Sequence, residues 1–184
     1  MGTKYKFTDQ NEIYHVTFTV VNWIDVFIRN VYKEILIDSW KHCIEKKGLE
    51  TYAWCIMTSH VHLMIGSNKN KLADIVRDTK RHTSEKLKEA IQNNKSESRR
   101  EWMLWMMQRA AKKNSHDTNF QFWIQDSHPI ILDTIDIVWQ RLDYIHNNPV
   151  EAGFVDKAED HLYSSARDYF YDREGKVPIK RIMG

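Results

Sequence analysis

Cysteine, proline and glycine are all scarce in this sequence, and each shortage excludes something. Only two cysteines occur, Cys43 and Cys55, with no C-x-x-C spacing. Neither a disulfide scaffold nor a cysteine-based zinc ribbon is available, and a reduced, cytoplasmic protein is the expectation. Three prolines and six glycines in 184 residues leave no low-complexity linker at which to cut the chain, and that length suits a single domain. No apolar run approaches the roughly 18 residues that span a bilayer, so no membrane partner is expected. The opening MGTKYKFTDQNE lacks the apolar centre of a signal peptide. There is no large excess of either charge, and a net +2 says nothing by itself about nucleic acid.

The distribution of charge says more. From Arg77 to Lys113 eleven basic residues stand against five acidic ones, so this segment carries +6 and the rest of the chain −4. A one-sided distribution suits a polyanion, although a solvated helical face has the same signature.

Periodicity supplies the elements. IYHVTFTVV (13–21) alternates and is rich in β-branched and aromatic residues, which predicts a strand. Residues 31–47 place Val31, Ile35, Leu36, Trp40, Cys43 and Ile44 on one helical face, with Gly48 as the residue that ends the helix. TYAWCIM (51–57), a two-residue TS turn and HVHLMIG (60–66) read as a hairpin. A basic amphipathic helix over 70–92 buries Leu72, Ile75, Val76, Thr79, Thr83, Leu87 and Ile91. The polar stretch 93–100 reads as a loop. EWMLWMMQRAAKK (101–113) reads as a Trp- and Met-rich helix, and NSHDTN as another loop. FQFWI (120–124) reads as a short strand. A last helix, capped by Asp133 or Thr134, runs to about Asn148 and is ended by Pro149. The C-terminal VPIKRIMG reads as a loosely held tail. The order β-α-β-β-α-(α)-β-α predicts an α+β fold: an antiparallel β-sheet covered by helices that can lie on one face, ferredoxin-like (RRM-like) in character.

Two stretches carry chemistry. In TSHVHLMIG, residues i and i+2 of a strand point to one side, so His60 and His62 present two imidazoles together while Val61, Leu63 and Ile65 face the core. That geometry suits two ligands of one metal, and it equally fits a pair of hydrogen-bonded strand histidines. In DTIDIVWQRLDYIHNNPVEAGFV (133–155), Ile135, Val138, Leu142 and Ile145 form a buried seam. Tyr144 lies off that seam with Ile137, Gln140, Arg141 and Asn148, and Asn148 is one turn above it.

TSHVHLMIG resembles the HUH motif. DYIHNNPVEAGFV resembles the tyrosine-bearing helix of single-tyrosine HUH transposases, in particular the REP-associated tyrosine transposases. FWIQDSHPI and LYSSARDY (162–169) extend the resemblance over about 14–171. It implies an HUH nuclease core over about 13–155, with a helical insert at about 93–118 and a C-terminal extension at 156–184. His60, His62 and Asn148 would bind a divalent metal, Mg2+ or Mn2+, where relatives often carry glutamine in place of the asparagine. Tyr144 would be the nucleophile that cleaves and rejoins single-stranded DNA at hairpins through a 5′-phosphotyrosine. Arg77, Lys80, Arg81, Lys86 and Arg141 would hold phosphates. Trp123, with Trp102 and Trp105, could stack unpaired bases, although a core position at helical or strand spacing fits each of the three better. A homodimer and a monomer are both compatible with the resemblance. The alternative function is a hairpin-binding protein of this fold that does not cut. A structural zinc site built from Cys55 and the histidines lacks a fourth ligand at the usual spacing.

Overall fold

The computed structural model describes residues 7–113 and 119–182. Most of the NSHDTN loop, the first six residues and the last two lie outside them. The elements are β1 (Tyr14–Thr19), α1 (Asn30–His42), β2 (Leu49–Ile56), β3 (His60–Ser67), α2 (Leu72–Asn93), α3 (Arg100–Lys112), β4 (Ile130–Ile131), α4 (Ile135–Glu151) and α5 (Ala166–Tyr171). The strands form one sheet in the order β2-β3-β1-β4, every pair antiparallel. This is the ferredoxin-like α+β arrangement.

The helices do not share a face. Tyr14, Val16 and Phe18 of β1 and Val61, Leu63 and Ile65 of β3 join one core with α1 and α2. Met64 of β3 and Ala53 and Cys55 of β2 join a second core, closed by Val138, Leu142 and Ile145 of α4. Alternation in β1 and β3 makes one sheet face apolar throughout, while the other face carries His15, Thr17, His60 and His62 and takes its apolar surface from Met64 and from Tyr52, Ala53 and Cys55 of β2, which α4 covers. In β2 the register shifts between Thr51 and Ala53, and both Tyr52 and Ala53 turn toward α4.

Local chemistry accounts for the ends. Met57 N–H donates to the His60 carbonyl at 2.9 Å, closing the hairpin around Thr58 and Ser59. After α1 a single π-helical turn, Cys43–Lys47, runs to Gly48 at φ +76°, the left-handed stop foreseen there. All seven positions foreseen on the inner side of α2, five apolar residues with Thr79 and Thr83, are buried. In α1 the buried face is rotated: Tyr32 and Ile37 are inside, whereas Val31 is exposed because α1 begins only at Asn30. Likewise Ile135, in the first turn of α4, is exposed.

Three expectations are corrected. FQFWI is not a strand: only Trp123 bridges, to Val20, and the fourth strand is Ile130–Ile131, just past Pro129. Pro149 does not end α4, which continues to Glu151. The stop is Gly153 at φ +72°, whose N–H donates to the Val150 carbonyl at 2.9 Å while Phe154 N–H donates to the Pro149 carbonyl at 2.8 Å. A proline in the last turn loses one helical bond, and the Gly153 geometry recaptures the free carbonyls. The tail is also held: Val177 is fully buried and Lys180 N–H donates to the Thr51 carbonyl at 2.8 Å.

The other edge of the sheet is covered as well. Ile56 N–H donates to the Tyr163 carbonyl at 2.9 Å and Ser165 N–H to the Trp54 carbonyl at 2.9 Å. The 162–169 segment thereby blunts the free edge of β2, where an unpaired ladder would invite association. α3 lays Met103 and Met107 into the main core and leaves Trp102 and Trp105 outside, with the Arg109 guanidinium 5.3 Å from the Trp105 ring.

Candidate active site

β3 and α4 meet on the sheet face away from α1 and α2, and the candidate residues meet with them. The His60 and His62 rings are 4.9 Å apart, and the Tyr144 ring is 5.3 Å from that of His62. Because α4 buries Val138, Leu142 and Ile145 against this chain's own sheet, Tyr144 and the histidines come together within one copy. Tyr144 is 39% exposed, and its hydroxyl has no hydrogen-bond partner among the described residues.

A third histidine completes the cluster. His15 is on β1, on the side opposite Tyr14 and Val16, and shares a hydrogen bond between its Nε2 and His62 Nδ1 at 3.2 Å. Thr17, directly across from His62, reaches the same Nδ1 at 3.1 Å. The alternation of IYHVTFTVV contained this signal: a strand whose even residues are core must send His15 and Thr17 to the other face. Trp23 was missed too. It sits in a tight turn, and its ring packs edge-on to His60 at 5.3 Å.

Burial holds these imidazoles neutral. It pushes His62 down to about 3, with His60, His15 and Arg141 adding to the effect, while the Asn148 carboxamide favours the charged form. Burial pushes His15 down to about 4, again with help from Arg141, and lowers His60. A neutral imidazole keeps the lone pair that a metal needs.

The donor chemistry fits a divalent cation. His62 Nε2 is buried without any hydrogen-bond partner, while its Nδ1 is occupied by Thr17 and His15. An orienting bond on one ring nitrogen with the other left free is the usual disposition of a ligating histidine. His60 Nδ1 is bonded to Ser59 Oγ at 3.3 Å, so its Nε2 is the nitrogen left for a ligand. Asn148 Nδ2 donates to the Tyr144 carbonyl at 3.1 Å, which leaves its amide oxygen to ligate. Among the described residues no group of three His, Cys, Asp or Glu side chains is arranged to hold a metal. A set of three protein donors here would have to draw on the amide of Asn148. Cys55 lies in the second core with its thiol donating to Met57 Sδ at 3.7 Å, and burial pushes that thiol up to about 12.

The expected DNA contacts divide. Arg141 belongs to the site, with its guanidinium 5.7 Å from the Tyr144 ring and its buried Nε without a partner. Arg77, Arg81 and Lys86 are on α2, which packs on the opposite face of the sheet, and they do not line the site. They pair with Asp74 and Asp78, with Asp78, and with Glu89 respectively. Lys80 is corrected to a structural role. Its ammonium donates to the Ile124 and Gln125 carbonyls and to Ser127 Oγ at 2.7, 2.9 and 3.0 Å, and burial pushes it down to about 8. Trp123 is corrected likewise: it is 4% exposed, stacked on Phe27, and its Nε1 donates to Thr83 Oγ1 at 3.0 Å. It has no face left for a base.

Residues 8–119 match the family model of IS200-like transposases. The chain belongs to that family. The matched region holds His15, His60 and His62 and stops before Tyr144, so the tyrosine enters through the geometry above. Over 131 residues the transposase-family chain is 30% identical to a Haemophilus influenzae protein named as a REP-associated tyrosine transposase. The alignment takes in 69% of this chain and spans 64% of that protein's length. A solved REP-associated tyrosine transposase, bound to a REP hairpin, superposes with a TM-score of 0.66 at 14% identity, covering 100% of this chain and 94% of the other. That likeness establishes the shared fold. Among the described residues no helix is long and apolar enough to cross a membrane.

Proposed function

We propose that this transposase-family protein is a metal-dependent, single-tyrosine endonuclease and strand transferase acting on single-stranded DNA at or near hairpins. The observation that carries the reading is the Tyr144 ring 5.3 Å from His62, whose Nε2 is buried and unpartnered. The hairpin substrate follows the solved neighbour, which was bound to a REP hairpin.

In the proposed reaction Tyr144 Oη attacks the scissile phosphorus, forming one P–O bond as the bond to the 3′ oxygen breaks. The phenolic proton leaves to solvent, and the 3′ oxygen takes up a proton and departs as a hydroxyl. The product is a 5′-phosphotyrosine that conserves the bond's energy, so a free 3′-OH can reverse the step and join strands without ATP. Arg141 offsets charge on the non-bridging oxygens. His60, His62 and the Asn148 amide oxygen would hold Mg2+ or Mn2+, with imidazole favouring Mn2+, and the cation would polarise and orient the phosphate. His15 and Thr17 keep His62 in the orientation that presents Nε2. Since Tyr144 and the histidines meet within one chain, a single copy holds a whole site.

The test is cleavage of single-stranded hairpin oligonucleotides from the gene's flanks, in Mn2+, Mg2+ or EDTA, on denaturing gels. A metal-dependent product with a covalent protein–5′-DNA adduct, absent in Tyr144→Phe, is expected. Tyr144→Phe should retain hairpin affinity within a few-fold, since only the attacking oxygen is lost. Hairpins that are bound but never cut would move the assignment to a binding protein of the same fold.

A further inference from the structure

Trp23 is exposed yet touches the candidate site, and its backbone is strained. The residue is 60% exposed, and its ring meets His60 edge-on, at 5.3 Å and 69°. Asn22 and Trp23 are consecutive residues with positive φ, +56° and +55°. Asparagine tolerates this region, but for a bulky residue it is a true outlier. The turn is pinned on both sides. Val20 N–H donates to the Ser59 carbonyl at 2.9 Å, Val21 N–H to the Phe122 carbonyl at 2.8 Å, and Trp23 N–H to the Val20 carbonyl at 3.0 Å. Neighbouring Val20, Val21 and Ile24 are all buried. The fold thus anchors the turn by its neighbours and holds the largest apolar side chain outward, against both the hydrophobic preference and the backbone preference. Strain held by surrounding structure at a site edge is characteristic of ligand clamps.

The rings run in series: Trp23 to His60 at 5.3 Å, His60 to His62 at 4.9 Å and His62 to Tyr144 at 5.3 Å. One edge of the indole is fixed by His60 while most of its surface is open. We infer that Trp23 is a stacking platform for an unpaired base close to the phosphate that Tyr144 attacks, a positioning residue that sets the strand's path across the His60–His62 edge. The inference rests on the proposed function. Stacking on an indole is tolerant of base identity and needs an unpaired base, which selects single strands over duplex.

The experiment measures binding in EDTA, so that no cleavage is involved. The probe is a fluorescent DNA hairpin with a single-stranded flank, compared with the same hairpin whose flank carries abasic sites. The proteins are wild type, Trp23→Ala, Trp23→Phe and Trp23→Gly. Trp23→Ala should weaken binding of the normal flank by about 5- to 100-fold, the usual worth of one stacked base. It should leave binding of the abasic flank unchanged. Trp23→Phe should recover most of the affinity. Trp23→Gly suits the positive φ, so it should melt at or above the wild-type temperature and still bind as weakly as Trp23→Ala.

Wild-type affinity in Trp23→Ala, or equal losses on normal and abasic flanks, would overturn the platform. Either result alongside intact Tyr144-dependent cleavage would leave the proposed function standing. A wild-type protein that neither binds nor cuts any hairpin would overturn both.

Discussion

Lowering the pH below neutrality should unfold this protein through its buried histidines, and His146 is the best place to measure it. His146 follows Tyr144 by two residues on α4 and points into the packing with the 162–169 segment. Its Nε2 is bonded to Ser165 Oγ at 2.9 Å, and that hydroxyl accepts from Trp54 N–H at 2.9 Å and faces the Trp54 carbonyl at 3.3 Å. With the hydroxyl proton given to the carbonyl, His146 is the donor and its second nitrogen must stay unprotonated. Burial pushes it down to about 4 from 6.5. The folded state therefore binds its proton later than the unfolded chain. The stabilisation is complete above pH 6.5, shrinks as pH falls from 6.5 to 4, and is gone below. At about 1.4 kcal/mol per pH unit that interval is worth about 3 kcal/mol. His15 and His62 share the same sign, reaching about 4 and about 3. Three such groups give a slope of up to about 4 kcal/mol per pH unit, or about 10 kcal/mol between pH 6.5 and 4, comparable to a typical stability of about 5–15 kcal/mol. The carboxylates held low by ion pairs, Glu34 beside Lys176 among them, act in the same direction but below about pH 4.5. Urea unfolding followed by far-UV circular dichroism at pH 7.5, 6.5, 5.5 and 4.8 reads the slope. His146→Gln, which can still donate to Ser165, should remove about one proton's share of it. A flat wild-type profile across this window, or an unchanged slope in the variant, would refute the reasoning.

Other predictions are simpler. Mn2+ should raise the thermal midpoint of the wild type, and His62→Ala or Asn148→Ala should abolish the rise; an equal rise in either variant would remove that residue from the metal set. Trp123→Phe should lose about 1–3 kcal/mol of stability in chemical denaturation, through the missing Thr83 bond and the smaller ring, with hairpin affinity unchanged once folded. Lys80→Met should likewise lower stability by leaving the Ile124 and Gln125 carbonyls unpaired, and a loss of DNA affinity without a loss of stability would contradict the structural role given to it. Gly153→Ala should cost about 1 kcal/mol by thermal denaturation: the position has φ +72° and open space around it, so strain alone is tested.

Much of the site was legible along the chain because it obeys two short periods. His60 and His62 share a strand face by the two-residue repeat. Tyr144 and Asn148 share a helix face by the four-residue repeat, and α2 shows its seven buried positions as a plain amphipathic stripe. These are local consequences of backbone geometry, and no partner element is needed to read them. The fourth strand was not legible, because two residues carry no periodicity; Ile130–Ile131 pairs only because β1 offers an edge. Trp123 and Lys80 were misread for a related reason. A tryptophan and a lysine look free to face DNA until the packing of α2 against the 120–127 segment gives Trp123 a buried bond to Thr83 and ties the Lys80 ammonium to three acceptors.

Sequence alone determined the helix and strand periods, the stop at Gly48, and which residue types the candidate site could draw on. Tertiary structure decided the rest. It placed α4 on the sheet face opposite α1 and α2, brought His15 and Thr17 of β1 against His62, and set Tyr144 beside the histidines of its own chain. It also held Trp23 outward in a strained turn. Those outcomes depend on which faces are buried together, a property of the assembled layers that no single segment contains.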